Sequence, residues 1–159
     1  MEITYYRAIQ NDLQILVDYR LKFLIDILGE QSEEMIAGLK KNLESYYSDT
    51  FKNDSYISYI AKSGDEVVGI GGMLLNNQAG NFKNPSGKIG YIMNMYTVPS
   101  FRKKGICSAI LKKLSAEAEK RGITLLELHA TKEGEPVYVQ QGFKKHPEPR
   151  YRKYISSMV

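Results

Sequence analysis

The sequence predicts a mixed α/β fold: a central, mostly antiparallel sheet with one parallel strand pair, flanked by about four helices. Three observations carry this. Short β-type runs alternate with longer stretches of helical period along the 159 residues. The runs at 55–62 and 66–75 are joined through Gly64 and Asp65, an antiparallel hairpin signal. Farther on come a strand, a basic turn with one glycine, a helix and a second apolar strand, the order of a right-handed parallel crossover. A chain of this length is expected to form one domain, 1–159.

In chain order, "ITYYRAI" (3–9) reads as a strand. Asn11 or Asp12 then caps a helix with Leu13, Leu16, Val17, Leu21, Leu24, Ile25 and Leu28 as its apolar residues, stopped by Gly29. Ser32 caps a second helix, with Glu33 and Glu34 near its positive end, running to about Tyr47. In the strand at 66–75, "GIGG" (69–72) lacks the full G-x-G-x-x-G pattern. It reads as close packing or a bulge rather than a nucleotide loop. A loop at 76–87 leads to the long strand "KIGYIMNMYTV" (88–98), stopped by Pro99. The next helix, 106–121, carries Ile106, Ile110, Leu111, Leu114 and Ala118 on one side and ends at Gly122. "ITLLELHAT" (123–131) is nearly continuous apolar, the pattern of a buried parallel strand. A short helix near 136–141 and two short strands, near 143–146 and 152–156, complete the expectation.

Charge is unevenly distributed. Residues 1–80 hold seven Lys and Arg against twelve Asp and Glu; residues 81–159 hold fifteen against six. The second half is either an anion-binding surface or a dispersed, solvated one. The single cysteine, Cys107, leaves no disulfide framework and no cysteine-based zinc cluster, so no metal is expected. The beginning of the sequence lacks the order of a signal peptide and no apolar run is long enough to span a bilayer. A cytoplasmic location without membrane association is therefore expected.

The basic turn is "RKKGIC" (102–107). A helix start presents unpartnered N–H groups along its axis, and Gly105 lets a phosphate approach the main chain. Arg102, Lys103 and Lys104 add positive charge. The same string also suits an ordinary glycine turn with exposed lysines. The absence of G-x-x-x-x-G-K-[ST] argues against a P-loop.

"YTVPSFRKKGICSAIL" resembles the signature of the GNAT superfamily of N-acetyltransferases, Gln/Arg-x-x-Gly-x-Gly/Ala. Arg102 stands at its first position, Gly105 at the fourth and Cys107 at the sixth, where the family usually has Gly or Ala. Downstream, "GEPVYVQQGF" (134–143) resembles the family's Tyr-x-x-x-Gly-Phe segment through Tyr138, Gly142 and Phe143. The resemblance covers about residues 55–145. It implies a sheet whose parallel strands splay apart, with acetyl-coenzyme A as cosubstrate lying between them. Backbone groups of Tyr96, Thr97 and Val98 would pair with the pantetheine arm. The turn and first helical residues, Lys103, Lys104, Gly105, Ile106, Cys107 and Ser108, would hold the pyrophosphate. Tyr138 would protonate the leaving thiolate. Homodimers are common in the family.

Acetyl transfer to an amine needs a proton acceptor, oxyanion stabilisation and a proton for the leaving sulfur. The family often places a glutamate on the first central strand. Here "YIMNMY" offers Asn94, which can orient a water or an amine but cannot take a proton. Glu127 and His129 alternate onto one face of their strand, and either can serve as a base through water. A backbone N–H near Met95 would serve the oxyanion if the strand bulges there. The reading is an N-acetyltransferase acting by direct attack in a ternary complex. The alternative is an acyl-coenzyme A sensor without turnover. Nucleic-acid binding through "HPEPRYRKY" (146–154) is disfavoured by the acidic first half. Asp18, Asp26, Glu30, Glu33 and Glu34 lie in the segment that walls the acceptor side in the family. They suggest a small, cationic amine as acceptor.

Overall fold

The computed structural model describes residues 2–156. The chain divides after His129 into two compact units. The first contains β1 (Ile3–Arg7), α1 (Leu13–Leu28), α2 (Glu33–Asn53), β2 (Tyr56–Ser63), β3 (Glu66–Asn77), β4 (Lys88–Thr97), α3 (Ile106–Lys120) and β5 (Leu125–Leu128). Its sheet order is β1-β2-β3-β4-β5, antiparallel from β1 to β4 and parallel between β4 and β5. The second unit contains α4 (Glu135–Gln140).

The period-3.6 stripes explain the layers. Leu16, Val17 and Leu21 of α1 form a buried cluster with Tyr47, Tyr56, Ile60, Ile70 and Tyr96. Helix α3 buries Ile106, Ile110, Leu111, Leu114 and Ala118 and packs against β2, β3 and β4. Full burial of one such aliphatic side chain contributes about 1.5–3 kcal/mol. The glycines of β3 permit close packing. A Cβ at Gly72 would overlap the Tyr56 hydroxyl, and one at Gly71 would overlap the Met95 sulfur and approach Ile110. A β3–β4 bulge falls between Ile70 and Gly72, so "GIGG" serves both packing and irregular pairing.

Several elements depart from the expectation. Helix α2 passes Tyr47 and ends only at Asn53, because no glycine or proline interrupts 48–53. Asp54 closes it in the left-handed region (φ 51°), and its carboxylate takes Arg7 and Arg121, each at 2.9 Å. The strand expected over 123–131 is confined to four residues. It lies at the sheet edge, with Leu125, Leu126 and Leu128 half-buried and Glu127 exposed. The strands expected near 143–146 and 152–156 do not form. Both segments are short and rich in Lys and Arg, and Pro147 and Pro149 between them supply no ladder N–H.

Candidate functional site

Strands β4 and β5 are paired only over Ile89 to Ile92 with Leu125 to Leu128. Beyond Ile92, residues 93–97 continue without a β5 partner. The parting coincides with the bulge, where two β4 residues, Asn94 and Met95, face the single Gly71 of β3. Asn94 has φ 57°, left-handed backbone that asparagine tolerates better than most residues.

The bulge has its own support. Asn94 is 2% exposed. Its Nδ2 donates to the Tyr47 hydroxyl at 2.5 Å and to the Tyr56 hydroxyl at 2.9 Å, and its Oδ1 accepts from Arg20 Nη1 at 2.7 Å. Burial pushes the Tyr56 hydroxyl up to about 12 and raises that of Tyr47 further. The Asn94 side chain is thus committed to holding β4 against α1 and α2.

Strand alternation decides which backbone groups face the gap. The Val98 N–H donates to Val68 O at 3.0 Å, so Val98 faces β3, and Tyr96, paired with Ile70 two residues earlier, does the same. Of the three residues expected to pair with the pantetheine arm, Thr97 alone turns its N–H and C=O to the open edge. Met95 does so by the same alternation.

The turn after β4 begins with a short helical turn, Pro99–Phe101, anchored by buried Phe101. Arg102 reaches back from it. Its Nε donates to Thr97 O at 3.0 Å, its Nη2 meets Asp26 Oδ2 at 2.6 Å, and its guanidinium lies 5.8 Å from the Tyr96 ring centre. Lys103 is left-handed (φ 61°), and the Lys104 ammonium lies 4.7 Å from the centre of the Phe101 ring. Gly105 is the N-cap of α3, also left-handed (φ 79°). Ile106 is buried beneath it, while Cys107 and Ser108 are half-buried. Burial holds the Cys107 thiol up at about 11, which suits a packing residue rather than a nucleophile.

A Cβ built on Gly105 meets nothing within 4 Å. The first intrahelical acceptor is Gly105 O, taken by Ala109 N at 3.0 Å. The N–H groups of Ile106, Cys107 and Ser108 therefore precede the ladder. Open space over a left-handed glycine, bare amides and two exposed lysines fit a pyrophosphate.

The candidate bases lie along β5 and just past its end. Glu127 pairs in register with Tyr91, three residues before Asn94, or about 10 Å along the strand. His129 is exposed, with Nδ1 2.6 Å from the Tyr91 hydroxyl. In the second unit Tyr138 is buried, its ring edge-on to Phe143 at 6.0 Å, and the Phe143 N–H donates to Tyr138 O at 3.0 Å. Gly142 makes the intervening turn at φ 90°.

Of the expected acidic wall, Asp26 is spent on Arg102, and Asp18 accepts from Gln14 at 3.0 Å and lies 3.8 Å from Lys40. Glu30, Glu33 and Glu34 are exposed. The sequence reading missed Arg20, Tyr47 and Tyr56 as neighbours of the bulge. The available signal was Arg20 itself, a charge set within the apolar stripe Leu13, Leu16, Val17, Leu24. Among the described residues no group of His, Cys, Asp and Glu side chains is arranged to hold a metal, and no helix is long and apolar enough to cross a membrane.

The comparisons agree with this architecture. A predicted acetyltransferase from Clostridium acetobutylicum, solved with acetyl-CoA, superposes with a TM-score of 0.87 at 30% identity, covering 96% of each chain. A GCN5-related N-acetyltransferase from Ralstonia eutropha JMP134 gives 0.84 at 23% identity, over 96% of this chain and 99% of that one. The aminoglycoside N-acetyltransferase AAC(6')-Iy, in complex with the bisubstrate analog CoA-S-monomethyl-acetylneamine, shares the fold at 13% identity, with a TM-score of 0.72 over 97% of this chain and 99% of that one. No curated protein matches the chain. The family model for the acetyltransferase (GNAT) domain matches residues 27–158, and the chain belongs to that family.

Proposed function

We propose that this protein transfers an acetyl group from acetyl-coenzyme A to the primary amine of a small acceptor, by direct attack while both are bound. The observation that carries the reading is the turn at the head of α3, with left-handed Gly105 under open space beside the unpaired edge of β4. A cosubstrate there supplies the acetyl thioester. The amides of residues 103–108 hold its pyrophosphate, and Thr97 pairs with its arm. The N–H of Met95 faces the same edge, where it stabilises developing negative charge on the acetyl oxygen.

A lysine-like amine is neutral in fewer than about one molecule in a thousand at pH 7. Asn94 cannot take the proton; in this reading either Glu127 or His129, both exposed, receives it through water. The role of Tyr138 rests on its match to the family segment and on the packing that fixes its ring. Its hydroxyl donates to the departing sulfur. Tyr138→Phe keeps the ring and removes the donor, so kcat should fall about 10²-fold while coenzyme A affinity is retained. An unaltered kcat would make Tyr138 a packing residue only.

The reading is tested by incubating the protein with acetyl-coenzyme A and a panel of small amines, following free thiol and acetylated product. Amine-dependent thiol release supports it. Tight coenzyme A binding with no turnover of any amine would instead indicate a sensor.

A further inference from the structure

Arg20 is half-buried on α1 at the point where β4 leaves β5. Of its five N–H donors, one has a partner among the described residues, the neutral Asn94 amide at 2.7 Å. The Phe23 ring lies 5.7 Å away. The hydroxyls of Tyr46, Tyr47 and Tyr56 feel its charge. Among the described residues no carboxylate stands within ion-pair distance of it, and the two acids of its own helix, Asp18 and Asp26, face Lys40 and Arg102. Half-burial strips part of the water from a guanidinium, and an anion would satisfy the donors that this leaves.

We propose that the acceptor supplies the missing anion: it carries a carboxylate or phosphate close to its amine, and Arg20 pairs with that group. The inference rests on the acetyltransferase reading and narrows its substrate class. Arg20 contacts Asn94, whose neighbour Met95 turns its N–H to the open edge of β4, so an anion on Arg20 places a nearby amine beside that edge. The planar fork of arginine suits either anion through two parallel hydrogen bonds. The cationic acceptor suggested by the charge of residues 1–80 fits less well, because Asp18 and Asp26 already have partners.

The test compares kcat/KM for matched pairs: amino acids against their amides, phosphoethanolamine against ethanolamine, and glucosamine 6-phosphate against glucosamine. At least one anionic member should be preferred by about tenfold to a hundredfold, and the winning pair tells carboxylate from phosphate. For the amino acids, intrinsic reactivity opposes this result, since the amide's amine loses its proton more easily. Arg20→Gln should collapse the preference through KM, and Arg20→Lys should restore part of it. Turnover of the neutral or cationic members with no anionic preference, or a preference that survives Arg20→Gln, overturns the proposal and leaves the acetyltransferase reading standing. Failure of every amine overturns both.

Discussion

Asn94→Leu should lower the unfolding free energy by about 3–4 kcal/mol and the melting temperature by about 10 °C. Asn94 gives two hydrogen bonds that are buried and accepts one that is part-buried. Leucine removes the donor shared by Tyr47 and Tyr56 and leaves the Arg20 guanidinium over hydrocarbon. It also suffers a left-handed backbone that asparagine tolerates. Asn94→Gly separates the terms, since glycine accepts the backbone but not the network; it should recover about 1 kcal/mol of the loss. The tyrosines add a pH signature. Tyr56 ionises at about 12 in the fold against an ordinary 10.0, so its contribution is complete below pH 10 and is lost as pH rises toward 12. Urea unfolding of both variants, followed by circular dichroism, checks the prediction. A leucine variant as stable as the parent would mean that the network does not hold the bulge.

Gly105→Glu should weaken coenzyme A binding at least tenfold, about 1.4 kcal/mol or more. The new side chain fills the space over the turn and sets a carboxylate where the diphosphate would sit. The fold should survive, because a Cβ there meets no protein atom within 4 Å and the cost is the strain at φ 79°, about 1–2 kcal/mol. Gly105→Ala carries the same strain without the bulk or charge, and should bind more tightly than the glutamate variant. Calorimetric titration of both variants separates backbone strain from occlusion. Equal affinities for parent and Gly105→Glu would remove the pyrophosphate from this turn.

The sequence made the crossover legible because its signals are local. The α3 stripe from Ile106 to Ala118, the stop at Gly122 and the break at Pro99 each depend on a few neighbouring residues. The same holds for the hairpin at Gly64 and the Ser32 cap, which accepts from Met35 N at 3.2 Å. A bulge near Met95 entered only as a condition of the family resemblance, and its cause was not legible. Asn94 is held there by Tyr47 and Arg20, 47 and 74 residues away in sequence, and no local pattern announces that pairing. The apolar run 123–131 suggested a buried strand, yet burial depends on what covers the sheet edge. Only four of those residues pair with β4. The C-terminal strands rested on weak, charged segments beside prolines, where propensity had little to say.

The central claim is that the cosubstrate lies along the open edge of β4 and over the head of α3. Amide hydrogen exchange with and without coenzyme A tests it most directly. The account predicts slowed exchange at residues 103–108 and at Met95 and Thr97, with Tyr96 and Val98 little changed because their N–H groups already face β3. Coenzyme A that binds while leaving residues 103–108 and Thr97 unprotected, and protects another face instead, would contradict it.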